Sequence, residues 1–279
     1  MTILGKINQV IFLFVETFRQ FKQGRIWLVL LSYYILLALL LLAHYDFMSP
    51  LFSGIMSAWF SVFGPERATF YTHYPTQFIL LPEFFGWAKF ILGFLFEGFA
   101  LGVIAIVFGR VYFGTKGQQS PIKSTLPFMV QLMIVWLVIN GLTLLSGVFL
   151  PKWFAPLLDG PRRIMAFNFV LLPSAYILIL SPLFFALPSV VIFKENALKA
   201  IVRSLKIFAS RPLTCIILSA LILAGPALVS ATAGYSPQLI QRFKPELVAG
   251  VLALGLLIEL FASFFWMSTA AKFLSEKER

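Results

Sequence analysis

The chain has 279 residues, of which 60% are hydrophobic, 16% aromatic and only 12% charged, about half the charged share of a soluble globular domain. With 32 Phe, a mean hydropathy of +0.92 and repeated apolar runs of about 20 residues, enough to cross some 30 Å of hydrocarbon, an ordinary soluble protein is excluded. The formal net charge of +11 is spread along the chain rather than gathered into one patch, so the expected partners are membrane lipids and not nucleic acid.

The expected fold class is all-α: one integral membrane domain over 1–279, with six transmembrane helices and cytoplasmic amphipathic interfacial helices. The first element, 1–25, is amphipathic. Ile3, Ile7, Val10, Ile11, Phe14, Val15, Phe18 and Phe21 recur at steps of three and four, with Lys6, Gln9, Glu16, Arg19, Gln20 and Lys22 between them. It is expected to lie flat in the interface before a first span at 26–45; the alternative is that it simply extends that span. Residues 51–63 are apolar but too few to cross, so they read as interfacial or re-entrant. Residues 64–77, with Tyr71, His73, Tyr74 and two prolines, read as an external loop with an aromatic belt.

Further spans are expected at 84–108, 126–150, 167–193, 212–235 and 245–271. Between the fourth and fifth lies a second amphipathic stretch, with Ala197, Leu198, Ile201, Leu205 and Phe208 on one stripe and Lys199, Arg203 and Lys206 opposite. It ends before Pro212. Basic stretches before the first, third and fifth spans give a weak internal repeat of three hairpins.

Six spans put both termini on one side. The 22 basic residues divide 15 to 7 in favour of that side, which assigns both termini to the cytoplasm. Candidate contacts to anionic headgroups there are Arg19, Lys22, Arg25, Lys199, Arg203, Lys206 and Arg211, at about 1 kcal/mol per charge near the surface. Arg162 and Arg163 follow Asp159 in an external loop, where a headgroup contact and plain solvation are both open.

Two carboxylates, Glu97 and Glu259, fall near the middle of the second and sixth spans. An intramembrane carboxylate is costly and points to a function or a bound partner. Gly86, Gly93 and Ala100 share the Glu97 face, and Gly255, Ala262, Ser263 and Trp266 share the Glu259 face, so both should point into the bundle. Glu97, Glu259 and Asn140 form the candidate intramembrane polar site. The competing view is a neutral glutamate bonded to a backbone carbonyl, Asn140 or Gln131, which holds helices in register. Gly98, Gly102 and Gly109 mark a second packed face of the same helix. Lys89 is expected to snorkel to the outer interface.

Cys215 lies inside an apolar run, and His44 and His73 stand in no metal-ligand spacing. No phosphate loop, dinucleotide fingerprint or catalytic triad order occurs. No cofactor, metal or enzymatic activity is therefore expected.

The segment Leu187-Pro188-Ser189-Val190-Val191-Ile192-Phe193-Lys194-Glu195-Asn196-Ala197, continued by Arg203-Ser204 and Arg211 and matched by Phe18-Arg19-Gln20-Phe21 before the first span, resembles a superfamily of uncharacterised six-span bacterial inner-membrane proteins. That group is related to the membrane domain of some glycerophosphodiester phosphodiesterases. The resemblance implies the fold and a bacterial inner-membrane location. It implies no activity, since the phosphodiesterase catalytic domain has no counterpart in this length. Two functions are weighed. The first is a non-enzymatic scaffold, assembly partner or amphiphile-handling factor in envelope or lipid homeostasis, which contacts a membrane-protein partner or forms a homo-oligomer. The second is a small proton- or cation-coupled transporter using the mid-membrane carboxylates. A dry interior favours the first and a polar cavity the second.

Overall fold

A computed structural model describes residues 3–22, 24–115 and 119–277, and these are all-α with no strand among them. Six helices are long and apolar enough to cross a membrane: Ile26–Tyr45, Gln77–Phe113, Pro121–Leu157, Pro161–Ile192, Pro212–Ala233 and Leu247–Lys277. The first matches its expected limits. The second, third and fourth begin five to seven residues earlier than expected, the third and fourth with prolines at their first helical positions followed by polar or basic residues that stay helical. Glu83, in the first turns of the second span, is held by Arg67 at 2.8 Å.

The sixth span is the hub, packed against the first, second and fifth. Small residues allow this closeness. A Cβ placed on Gly225 would sit 2.5 Å from the Ile258 side chain, and one on Gly255 would sit 2.7 Å from Val229. Gly98 and Gly102 press on Leu132 of the third span and Gly109 on Ile192 of the fourth, which is the second packed face expected of that helix.

Outside the bundle, the apolar segment after the first span forms the helix Ser53–Ser61, and the expected loop 64–77 contains a second helix, Pro65–Tyr71. Pro65 at the first helical position supplies its fixed φ there, a start that 64–77 read as a loop overlooks. Phe47 packs edge to face on Phe60 and Tyr71, and Tyr71 on Phe84, at 4.9–5.8 Å, while Phe60 lies tilted against Tyr71 and Phe84. Tyr71 is therefore not part of an interface belt. Its ring is fully buried and its hydroxyl donates to the His44 carbonyl at 3.0 Å. Burial pushes that phenol above its ordinary range, so it stays a donor. Tyr74 is outward, at 65% exposure.

The two amphipathic segments are helices separate from the spans that follow. Ile3–Arg19 is followed by a tighter turn, Gln20–Lys22, and Ala197–Ser210 ends at Arg211, whose φ of −142° leaves the helical region. Each is docked on the bundle. Val10, Leu13 and Thr17 are buried against the sixth span, where Phe14 stacks on Phe265 at 5.3 Å. The second helix shows three faces. Ala197, Ala200, Ser204 and Ile207 are buried, Leu198, Val202 and Leu205 are exposed, and Lys199 and Lys206 are exposed beside them. Ala197, expected on the lipid stripe, turns instead to the protein.

That docking repairs a defect in the fourth span. Pro188 has no N–H to offer the Phe184 carbonyl, and the helix is broken at Phe184 and Phe185. Inside an apolar bundle the freed backbone groups need partners. The Trp266 indole donates to the Phe184 carbonyl at 2.9 Å. The Ser204 hydroxyl accepts from the Phe185 N–H at 3.1 Å and donates to the Pro182 carbonyl at 2.7 Å. Replacing Ser204 by Ala strips partners from two buried groups and is expected to cost about 1–3 kcal/mol. Ser210→Ala, at an exposed position on the same helix, should stay within about 0.5 kcal/mol. Thermal unfolding of the detergent-solubilised variants measures both.

Candidate functional site

A cavity of about 340 Å³ lies at the centre of the bundle, and all six spans contribute to its lining. Glu97, Glu259 and Asn140 all face it, so the structure brings together the three residues of the expected polar site. It also brings in Lys89. Rather than snorkelling outward, the Lys89 ammonium forms an ion pair with both carboxylate oxygens of Glu259. A lone ammonium or carboxylate at this depth is costly. Pairing across two spans offsets that cost and leaves both side chains about a quarter exposed to the cavity.

A local change of helix type explains how Lys89 and Glu97 share one cavity. Over regular α-helix, eight residues turn through about 800°, which would set the two side chains about 80° apart. Residues Gly93–Glu97 form a π turn, which accommodates one extra residue. The interval then behaves as about seven residues, or 700°, and the two groups come within about 20° of each other. The turn is seated by Gly93. A Cβ there would lie 2.5 Å from the Trp136 ring and 3.0 Å from Glu97 Oε2, so only a glycine lets the indole and the carboxylate approach.

The first span supplies two phenols. Tyr33 donates to Glu97 Oε2 at 3.0 Å, and the Tyr34 hydroxyl lies 2.9 Å from Ser263 Oγ on the rim that Glu259 shares. Asn140 bonds the Trp136 carbonyl of its own helix at 3.1 Å. Gln131 accepts from the Ala197 N–H at 2.9 Å. Neither amide bonds a glutamate, so the register-holding bond expected of them is made by Tyr33 and Lys89. The arrangement thus holds one ammonium and two carboxylates. Glu259 has the ammonium, and Glu97 accepts from the neutral Tyr33 hydroxyl.

Tyr33, Tyr34 and the pairing of Lys89 were missed at the sequence level. Two adjacent hydroxyl-bearing rings inside a Leu-rich span were the available signal, since a buried Tyr hydroxyl needs a partner. The π turn leaves none beyond Gly93 itself.

The candidate headgroup contacts fare differently from one another. Arg19 pairs with Glu16. Arg203 is gripped by Glu195 at 2.7 Å and lies 4.0 Å over the Phe193 ring. Arg211 donates to Gln9 at 3.2 Å, which ties the N-terminal helix to the start of the fifth span. Arg19 stays exposed beside its partner, while Arg203 and Arg211 are half-buried. Lys22, Lys199 and Lys206 are exposed, and the side chain of Arg25 lies outside the described residues. Between the third and fourth spans Arg163 pairs with Asp159 at 2.5 Å. Comparison of the chain with protein-family models, with curated proteins and with solved structures finds no match in any of the three.

Because each charge of the Lys89 and Glu259 pair is tolerated only through the other, removing one should be worse than removing both. Lys89→Met and Glu259→Ala alone are each expected to lose up to about 3 kcal/mol, the low end for stranding one member of a buried pair. The double variant Lys89→Met, Glu259→Ala should lose clearly less than the two single losses added together. A double-mutant cycle by thermal unfolding reads the coupling.

Proposed function

We propose that the chain is a multi-pass transport protein of the bacterial inner membrane that binds a small polar solute in the central cavity, with Glu97 taking up a proton or a monovalent cation. The observation that carries this reading is the cavity itself, in which one ammonium and two carboxylates converge from two spans with neutral polar groups from the first, third and fourth. Glu97 faces this cavity with a hydrogen bond from Tyr33 and no ion pair among the described residues, and an ionisable group so placed inside a membrane points to a function. The resemblance to six-span inner-membrane proteins supports the location.

The mechanism follows from charge counting. Lys89 neutralises one carboxylate at a time. When Glu97 is neutral, through a proton or a bound cation, Lys89 rests on Glu259. When Glu97 is left as a bare carboxylate, the ammonium is drawn toward it along the shared face of the π turn, and Glu259 is released toward the cavity. Solute charge is then met by one of the two carboxylates or by Lys89. Such an exchange of partners makes occupancy at Glu97 and occupancy at the solute position interdependent.

Proteoliposomes holding the purified chain, given a pH step together with a mixture of small cationic and zwitterionic solutes, should show electrogenic current on a solid-supported membrane. Glu97→Gln keeps shape and bonding to Tyr33 and should leave stability within about 1 kcal/mol, while the current falls more than about tenfold, as expected where ionisation itself is used. No current from the unaltered chain would favour the scaffold reading, and full current from folded Glu97→Gln would show that ionisation of Glu97 is not used.

The orientation with both termini cytoplasmic rests on the 15 to 7 basic split. In a Cys215→Ser background, a cysteine at Thr69 should react with an impermeant maleimide in intact cells. Reaction only after lysis would invert the assignment.

A further inference from the structure

A second cavity, of about 610 Å³, opens on the face where both termini lie, between the ends of the second and fourth spans and the start of the third. Three cations line it: Arg110, Lys123 and Lys194. No carboxylate does. Among the described residues Lys123 and Lys194 have no ion-pair partner, and Glu195, beside Lys194 in the chain, is held by Arg203. Arg110 is fixed in place. One of its amino groups donates to the Gln119 carbonyl and the other to Ser124 Oγ, each at 2.8 Å. Those two bonds leave three of its five N–H groups for another acceptor.

Lys194 adds an independent observation. It is the one residue other than glycine with a positive φ among the described residues, at 55°. The Glu195 N–H bonds the Val190 carbonyl at 3.0 Å, the closure of a helix C-terminus that ordinarily places glycine at this position. Here a lysine occupies it, against its backbone preference, and its side chain lines the cavity. Deeper than the cations the walls are apolar, with Ile106, Phe128 and Ile192 between the spans.

We propose that this cavity binds the phosphate group of an anionic amphiphile, with Arg110, Lys123 and Lys194 on the phosphate oxygens and an acyl chain along the Ile106, Phe128 and Ile192 wall. Arginine meets phosphate oxygens through its fixed fork and lysine as a point charge. A phosphatidylcholine headgroup fits poorly, because its quaternary amine finds three cations and no acid. The site is separate from the central cavity and does not depend on the transport reading.

Native mass spectrometry of the full chain in detergent, titrated with phosphatidylglycerol, with phosphatidylcholine and with inorganic phosphate, tests it. Phosphatidylglycerol should bind more tightly than phosphatidylcholine. Lys123→Gln and Lys194→Gln should each weaken it about fivefold, the worth of one charge near an anionic surface, with phosphatidylcholine unchanged. Lys194→Gly removes the charge and relieves the backbone, so it should weaken phosphatidylglycerol equally while the thermal midpoint holds or rises. That separates lost binding from lost folding. Inorganic phosphate binding as tightly as the lipid, and lost in the same variants, would support the phosphate site with a soluble phosphate as its source. Unchanged phosphatidylglycerol affinity in a Lys123→Gln, Lys194→Gln double variant would overturn the proposal.

Discussion

A charge in hydrocarbon must find its opposite within the bundle, and the pair of Lys89 with Glu259 is where this chain meets that demand. Much of the surrounding architecture is arranged so that the pair can form. The second and sixth spans have to approach closely at mid-membrane, and the sixth has to be held there from its other sides. Gly225 and Gly255 let the fifth span close against it with Ile258 and Val229 in the gaps. Gly98 and Gly102 let the third span close behind the second. A larger residue at any of these positions pushes apart helices whose separation sets the distance between ammonium and carboxylate.

The same shortage of water acts on the backbone. A proline-containing span leaves carbonyls and N–H groups without helical partners, and in a soluble protein water would take them. Here Trp266 and Ser204 do so. These two side chains come from the sixth span and from the amphipathic helix Ala197–Ser210, so the break in the fourth span is also what couples that helix to the hub. The N-terminal helix is tied in a parallel way, through Thr17 at 2.9 Å from Ser268 Oγ, which Tyr112 also approaches at 2.8 Å. Both amphipathic helices are therefore parts of the packed structure, and each keeps an apolar outer face.

The six spans and the two amphipathic helices were legible because hydropathy and the 3.6-residue period record burial averaged over many residues. The faces of small residues were legible for the same reason. Glu97, Glu259 and Asn140 could be picked out singly, as polar groups in apolar runs. Lys89 could not be assigned, because snorkelling and pairing place a lysine at the same sequence position and differ only in what faces it. Its alignment with Glu97 was hidden by the π turn, since a constant 100° per residue points the two groups apart. Helix Pro65–Tyr71 was lost to composition: its Pro, Tyr and Thr residues read as loop, whereas the burial of Tyr71 against Phe60 and Phe84 stabilises a helix there.

The π turn ties these observations together. A regular helix would keep Glu97 away from Lys89, and the cavity would then hold one closed ion pair and an isolated carboxylate bonded to Tyr33. With the turn, one ammonium has two carboxylates within its reach along the same helix face. In the proposed exchange of partners, the ammonium would move from Glu259 to Glu97 by a side-chain displacement of Lys89 alone, with no change in the packing of the spans. The state of Glu97 would set the balance, because a neutral group there does not compete for the lysine. The five residues Gly93–Glu97, seated on Trp136 by a glycine, are the element on which that proposed coupling of the two glutamates depends.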